Sequence, residues 1–268
     1  MDLATILGLF LAWGAIFGCL TLENGRLSEM LNLPAFVLVI FGTIGATIIG
    51  TSMKTIALLP SIVRNAVIGT PPDPGELIDK MVAIARIARR SGVLSLEGEI
   101  KNEENRFLRK GVELVVDGTP SVMVREILET EVVAMQDRHK VGETVFTTLG
   151  GFSPTLGIIG TVMGLINMLA RLSEPGKMGH AIASAFIATL YGVAFANLIY
   201  LPIASKLRSK TAEEVVACEM VIEGILSIQA GDNPRIVEMR MMAFLSPQAR
   251  AARMAMNPRG SREETLAA

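Results

Sequence analysis

The residues of this sequence best suited to ion chemistry are two threonines, Thr161 and Thr189, which lie in apolar segments without charge. Thr161 precedes Arg171 by about ten residues, or roughly 15 Å of helix, and Thr189 follows His180 by a similar number. Two hydroxyls at this depth could line a wet path and replace part of an ion's water shell. Taken singly, each is more typical of a hydroxyl that bonds a carbonyl of its own helix, so both interpretations stay open.

Two prolines, Pro154 and Pro202, lie in the same two segments, toward the ends that are farther from Arg171 and His180. A proline leaves one helix carbonyl without its N–H donor and permits a bend, which suits a gate or a hinge. Membrane helices also tolerate proline for packing reasons. The sequence alone does not separate these two roles.

Signatures of enzyme catalysis are absent from the sequence. It contains no Gly-x-Ser-x-Gly, no His-Glu-x-x-His, no phosphate loop and no paired aspartates in an apolar segment. Ser153 precedes a proline and has no histidine base in its segment, which argues against a nucleophile. The two cysteines, Cys19 and Cys218, lie in segments of different character, so no disulfide or metal site is implied. We therefore predict a protein that is not an enzyme and holds no cofactor.

The elements that must position these residues are apolar helices. Half of the 268 residues are apolar, only 19 % are charged and the mean hydropathy is +0.47, which excludes a purely soluble enzyme. Charges are absent from residues 3–22, 33–53, 144–170 and 181–205, and about 20 helical residues cross a hydrocarbon core of about 30 Å. We predict four transmembrane helices at 3–22, 33–53, 146–170 and 181–205, surrounded by membrane lipid.

The basic residues predict the orientation of these spans. Of the 25 lysines and arginines, all but Arg26, Arg171 and Lys177 lie between residues 54 and 143 or after residue 205. Basic residues are retained on the cytoplasmic side. We therefore predict a cytoplasmic insertion at 54–143, a cytoplasmic tail at 206–268 and both termini inside the cell.

Helical periodicity continues outside the spans. In the insertion, five apolar residues fall at helical spacing, namely Leu77, Ile78, Met81, Val82 and Ala85. The tail is predicted to be helical as far as Ile228, to break at residues 231–234 and to be loosely ordered from Pro247 onward. No alternating strand pattern occurs. The predicted fold class is all-α, a polytopic membrane protein with a helical cytoplasmic domain.

The spans contain small residues instead of ionisable ones. Gly14 with Gly18, and Gly160 with Gly164, form GxxxG pairs, which predict close helix packing within one subunit or, as a weaker alternative, between subunits. An ion pathway usually needs a carboxylate or histidine in the bundle, and these spans have none. The net charge of −1 supplies no basic face for phosphate backbones, so nucleic acid is not an expected partner.

Four motifs of this sequence resemble the MotA/PomA family of flagellar motor stator subunits. They are FSPTLGIIGTVMGL at 152–165, ATLYG at 188–192, LPIASKL at 201–207 and ARRSGVLSLE at 88–97. The resemblance runs from the first span to about Leu207, and the four-span layout with its insertion after the second span agrees with it. It implies a subunit of the bacterial cytoplasmic (inner) membrane, one of a pentamer around two copies of a single-span partner, MotB or PomB.

The resemblance also implies a function. The partner supplies the ion-binding aspartate, and inward ion flow is coupled to torque on the rotor protein FliG. Such a subunit needs no titratable group of its own, which fits the charge-free spans.

Residue roles carry over from the resemblance one position at a time. Arg89 and Glu97 match the charged pair that contacts the rotor, and Arg90 matches an adjacent basic residue of sodium-type members; composition alone would indicate a solvated helix face. The torque-coupling prolines are matched by Pro154 and Pro202, and the threonines lining the sodium path by Thr161 and Thr189. Many proton-driven members have alanine at the first of these threonines, which favours sodium weakly over protons.

Two alternatives remain open at this stage. The first is an ion-driven energiser subunit of the ExbB or TolQ kind, although such subunits have three spans and their main cytoplasmic segment follows the first. The second is a stand-alone membrane channel or transporter, against which the absence of intramembrane charge argues.

Overall fold

The chain is nearly all helix in the computed structural model, which describes residues 3–25, 27–68, 73–101, 103–170, 172–173 and 175–256. No strand occurs among these residues, and the all-α prediction is confirmed. In chain order the helices are α1 (Leu3–Leu22), α2 (Leu27–Met30), α3 (Leu33–Ile49), α4 (Met53–Ile68), α5 (Pro74–Ser91), α6 (Leu96–Ile100), α7 (Arg106–Val116), α8 (Ser121–Leu169), α9 (Pro175–Phe195), α10 (Leu201–Gln229), α11 (Pro234–Met242) and α12 (Pro247–Met256). A 3-10 turn at Val93–Ser95 joins α5 to α6, and a π-helical segment at Ala196–Tyr200 joins α9 to α10.

The chain forms two compact units. The first unit comprises Met1–Thr70 and Arg138–Lys210, and the second comprises Pro71–Asp137 and Thr211–Ala268. Helix α4 belongs to the first unit, although the sequence prediction grouped it with the insertion. The reason is packing, because Leu59 and Ile62 of α4 contact a buried cluster formed by Val145, Phe146, Leu149 and Ala204.

Among the described residues, two helical stretches are long and apolar enough to cross a membrane, Ser121–Leu169 and Met178–Gln229, and three apolar helices are shorter, Ile6–Leu22, Leu33–Ile49 and Met53–Ile62. Helix α3 ends four residues before the predicted limit of the second span. Its C-cap is Gly50, whose N–H bonds the carbonyls of Ile48 and Thr47, so the chain turns there before α4 begins.

The N-terminal end of α3 is tied to α9 by polar side chains. Asn32 caps α3, since its side-chain oxygen accepts a hydrogen bond from the Ala35 N–H at 3.0 Å. The Asn32 amide nitrogen donates to Ser184 Oγ at 2.7 Å, and the Tyr191 hydroxyl donates to the Met30 carbonyl. These bonds fix the connection between α2 and α3 on the surface of α9.

The two GxxxG pairs behave differently. A methyl group at Gly160 or Gly164 would come within 2.6 Å of the Cβ atoms of Ala188 and Ala185 respectively, so this pair packs within the subunit. A methyl group at Gly14 or Gly18 would meet no described atom within 4 Å. Packing inside one subunit therefore explains the second pair but not the first.

The second unit has its own apolar core. Helix α5 contributes Leu77, Ile78, Met81, Val82 and Ala85 to it, as the helical spacing predicts. The same core includes Leu128 of α8 and Ile225 of α10, both at most 1 % exposed. Cys218 is buried nearby, and burial together with the carboxylates of Glu214, Glu131 and Glu219 raises the pKa of its thiol to about 12. This cysteine is therefore an uncharged packing residue.

Part of the tail that the sequence predicts to be loosely ordered forms α12. Arg253 of this helix donates to the Gly75 carbonyl at 3.1 Å and to Asp79 Oδ1 at 2.5 Å, and it lies 3.5 Å from Glu238. The Arg253 side chain is only 18 % exposed. Its contacts hold α12 against α5 and α11. Residues 257–268 lie outside the described residues.

Replacing Leu128 by alanine is expected to destabilise the second unit by about 2–5 kcal/mol, because the side chain is fully buried and its loss leaves a cavity. Val133→Ala is the matched control on the same helix, since Val133 is 55 % exposed, and it is expected to change stability by less than about 0.5 kcal/mol. Thermal unfolding of the purified full-length protein in detergent measures both. Equal melting temperatures for the two variants would contradict the assigned core.

Candidate functional site

Helices α8 and α9 approach each other without intervening side chains. A Cβ atom on Gly157 would lie 2.9 Å from the Ala188 carbonyl oxygen and 3.2 Å from the Gly192 Cα, and one on Gly192 would lie 2.6 Å from the Ser153 carbonyl oxygen. Cβ atoms essentially never lie within 3.0 Å of another heavy atom, as two of these three distances would require. Glycine is therefore required at both positions for the helices to meet at this separation.

This close approach brings together the two threonines that the sequence singles out. The hydroxyls of Thr161 and Thr189 hydrogen-bond each other. Thr161 Oγ1 lies 3.1 Å from the Gly157 carbonyl oxygen and 3.2 Å from that of Ala185, and Thr189 Oγ1 lies 3.5 Å from the Gly157 carbonyl oxygen. The bond from Thr161 to Gly157 is the intrahelical one expected of a lone threonine, whereas the other bonds join the two helices.

The threonine cluster is made only of neutral oxygens. Its two hydroxyls and two carbonyls are the kind of ligand that replaces water around a hard cation. It contains no carboxylate, and the described residues hold no group of three or more His, Cys, Asp or Glu side chains suited to a metal ion. The cluster therefore offers neutral oxygens and no proton acceptor or counter-charge of its own.

Sequence reasoning missed a second polar contact between the same helices. The Ser153 hydroxyl is fully buried and donates to the Gly192 carbonyl at 2.9 Å. From its sequence context, Ser153 is evaluated above only as a nucleophile. In the sequence, a serine one residue before a proline and four before a glycine could have indicated a helix contact. Its partner is 39 residues away, so the sequence does not identify it.

The two prolines lie in different local settings. Pro154 is inside α8 and half-buried. Pro202 is exposed and follows the π-helical segment, where the Leu201 N–H bonds the Ala196 carbonyl, one residue further back than in an α-helix. Pro202 has no N–H and therefore leaves an upstream carbonyl without its α-helical donor. The wider turn just before Pro202 changes the hydrogen-bond pairing of the carbonyls in this region. Such segments often occur at functional positions of helices.

The candidate rotor-contact residues lie around the junction of α5 and α6. Arg89 and Arg90 occupy the last turn of α5 and are exposed, where positive charge also stabilises the helix end. Neither arginine has an ion-pair partner among the described residues. Glu97, in the first turn of α6, pairs with Lys101 at 3.6 Å, and both side chains are 69 % exposed. The three residues are available for an external partner.

Models of two protein families match this chain. The MotA/TolQ/ExbB proton channel family matches residues 99–220, and the motility protein A N-terminal family matches residues 6–92. Motility protein A of Bacillus subtilis (strain 168) is 36 % identical over 250 residues, covering 91 % of each chain. Chemotaxis protein PomA of Vibrio alginolyticus is 33 % identical over 251 residues, covering 94 % of this chain and 98 % of the relative.

Chains of solved MotAB structures have the same fold as this chain. A chain of the C. jejuni MotAB structure superposes with a TM-score of 0.88 at 30 % identity. A chain of the flagellar MotAB stator complex from Bacillus subtilis superposes with a TM-score of 0.87 at 35 % identity. Each match covers 92 % of this chain and 97 % of the other.

The family models and the similarity to MotAB chains define a membrane ion-channel subunit, not an enzyme, and the ion is cargo for which no cofactor is needed. Within that class, the chain belongs to the motility protein A family, whose members are stator subunits of the flagellar motor. The resemblance found in the sequence motifs is confirmed. The N-terminal family model distinguishes this chain from the ExbB and TolQ branch of the channel family.

Gly160→Ala is expected to destabilise the contact between α8 and α9 by about 1–3 kcal/mol, since the added methyl would lie 2.6 Å from the Ala188 Cβ. Gly151→Ala on the same helix is the matched control, because a methyl there meets no atom within 4 Å and alanine favours helix over glycine by up to about 1 kcal/mol. The melting temperatures of the detergent-purified variants should move in opposite directions. A shared direction would argue against the assigned helix contact.

Proposed function

We propose that this subunit conducts ions into the cell together with a single-span partner of the MotB or PomB type and converts that flow into torque on the rotor protein FliG. In this proposal the complex contains five copies of this chain around two partner chains. It lies in the bacterial inner membrane, with α1, α3 and the apolar parts of α8 and α9–α10 as four spans. The insertion, the tail and both termini face the cytoplasm.

The observation that carries the proposal is the threonine cluster and its lack of charge. An ion crossing the membrane needs polar ligands along its path and, at one point, a group that binds and releases it. The cluster of Thr161, Thr189 and the Gly157 and Ala185 carbonyls supplies the ligands. The titratable group is then the aspartate of the partner chain, and the MotAB complexes among the solved relatives support such a pairing.

Sodium is the coupling ion that we favour. Hard cations such as Na⁺ bind neutral hydroxyl and carbonyl oxygens, whereas proton transfer requires a titratable group or a water chain. Two threonine hydroxyls occupy the cluster, so it offers oxygen ligands to a cation and no titratable group to a proton.

Torque would reach the rotor through the cytoplasmic helices. Pro154 and the π-helical segment before Pro202 offer bending points in α8 and in the α9–α10 helix. Beyond the spans, the exposed Arg89, Arg90 and Glu97 would form the charged contact with FliG.

Replacing Arg89 by alanine or Glu97 by lysine is expected to leave assembly intact while reducing swimming speed, because both side chains are exposed and contribute to an external contact. Arg106→Ala is the matched control, since Arg106 is exposed on α7 and lies outside the motif of residues 88–97. Stator incorporation is followed with a fluorescent tag and motility by tracking cells. Wild-type swimming in both variants would remove the rotor-contact assignment.

Swimming speed is expected to rise with sodium at constant pH and ionic strength. Thr161→Ala and Thr189→Ala should each raise the sodium concentration for half-maximal speed by about three- to tenfold, which corresponds to about 0.7–1.4 kcal/mol for one lost oxygen ligand. Thr155→Ala is the control, because the Thr155 hydroxyl is exposed and bonds only the Gly151 carbonyl of its own helix. Speeds independent of sodium would exclude sodium coupling and leave the proton as the ion.

A further inference from the structure

An apolar side chain is exposed in the middle of the charged rotor-contact segment. Along the chain, Leu94 follows Arg89 and Arg90 and precedes Glu97, and it is 75 % exposed. The segment thus presents a basic end, an apolar middle and an acidic end to solvent.

Leu94 stands apart from the apolar residues around it. Between Pro74 and Val116, every other described large apolar side chain is buried or half-buried. Isolated exposed apolar residues are common on protein surfaces, so exposure alone decides nothing. The position of this one, between the charges of a candidate contact, is what gives it a role.

The turn that carries Leu94 fixes it in the outward position. Gly92 has a φ of +83°, a left-handed conformation that glycine adopts without strain. Its carbonyl accepts hydrogen bonds from the Ser95 N–H at 3.2 Å and from Ser95 Oγ at 2.6 Å. Val93 packs against the core and Leu96 is 1 % exposed. With both of these residues held inward, Leu94 projects to solvent.

The charges of the segment are poorly suited to hold a partner by themselves. The pair of Glu97 and Lys101 is 3.6 Å apart and well exposed, and such exposed pairs contribute little and are screened by salt. Protein contacts commonly depend on a few desolvated apolar or aromatic anchors with a polar rim around them. Leu94 is the residue of this segment that could act as such an anchor.

We propose that Leu94 is the apolar anchor of the rotor contact and inserts into an apolar pocket of the rotor protein. That pocket carries acidic groups on the side facing Arg89 and Arg90 and basic groups on the side facing Glu97. This inference rests on the proposed function, because it takes the rotor protein as the partner. The charges would select and orient the partner, and burial of Leu94 would supply the part of the affinity that salt does not screen.

The test measures binding of the purified rotor protein to the stator complex, reconstituted with its partner chain in lipid nanodiscs. Leu94→Ser should weaken association about tenfold, equivalent to 1.4 kcal/mol at 25 °C, at both about 0.1 M and about 1 M salt, where the Debye length falls from about 10 to 3 Å. Arg89→Ala should weaken association only at the lower salt. Val122→Ser, at a valine 76 % exposed on α8, and Leu94→Met should both bind like the wild type.

Each failure has a separate meaning. Binding of Leu94→Ser equal to that of Val122→Ser, with Arg89→Ala still weakened, would overturn the anchor and leave the rotor contact in place. Leu94→Met as weak as Leu94→Ser would also overturn the anchor. Wild-type binding by Arg89→Ala and Leu94→Ser together would overturn the rotor contact of the proposed function as well. Melting temperatures are compared for all variants, and Leu94→Gln replaces Leu94→Ser if the latter is unstable.

Discussion

Between Gly157 of α8 and Gly192 of α9 there is no room for a side chain, because a methyl group on either residue would overlap the backbone of the other helix. This lack of side chains lets the two backbones meet, and the other features of the ion-path candidate follow from it. The Ser153 hydroxyl reaches the Gly192 carbonyl, and the Thr161 hydroxyl reaches both Thr189 and the Ala185 carbonyl. Larger residues at the glycine positions would separate the helices and place the two threonine hydroxyls beyond hydrogen-bond distance.

The charged residues of the subunit are separated from its apolar spans. All lysines and arginines lie outside the four apolar stretches, since an isolated charge in hydrocarbon is costly. Neutral oxygens can stabilise a passing cation but cannot be switched by protonation. In the proposed mechanism, the aspartate of a partner chain is therefore the titratable group.

In the second unit, a well-packed core supports the exposed candidate rotor-contact residues. Fully buried side chains such as Ile78 and Leu128 anchor α5 and α8, while the turn at Gly92 directs the next residues outward. The tail contributes to the same unit, because Arg253 joins α12 to the start of α5. A charged side chain that is mostly buried and multiply bonded can hold a short helix that has little apolar surface of its own.

Hydropathy, helical period and sequence motifs are local properties of the chain, and they predict the all-α class, the apolar segments, the family and the core face of α5. Local signals also identified Thr161 and Thr189. Three features appear only in the folded chain: the two hydroxyls touch, Gly160 packs inside the subunit whereas Gly14 meets no described atom, and residues 247–256 form a docked helix. Each of these depends on a partner far away in sequence, and a one-dimensional pattern carries no record of which distant residue lies opposite.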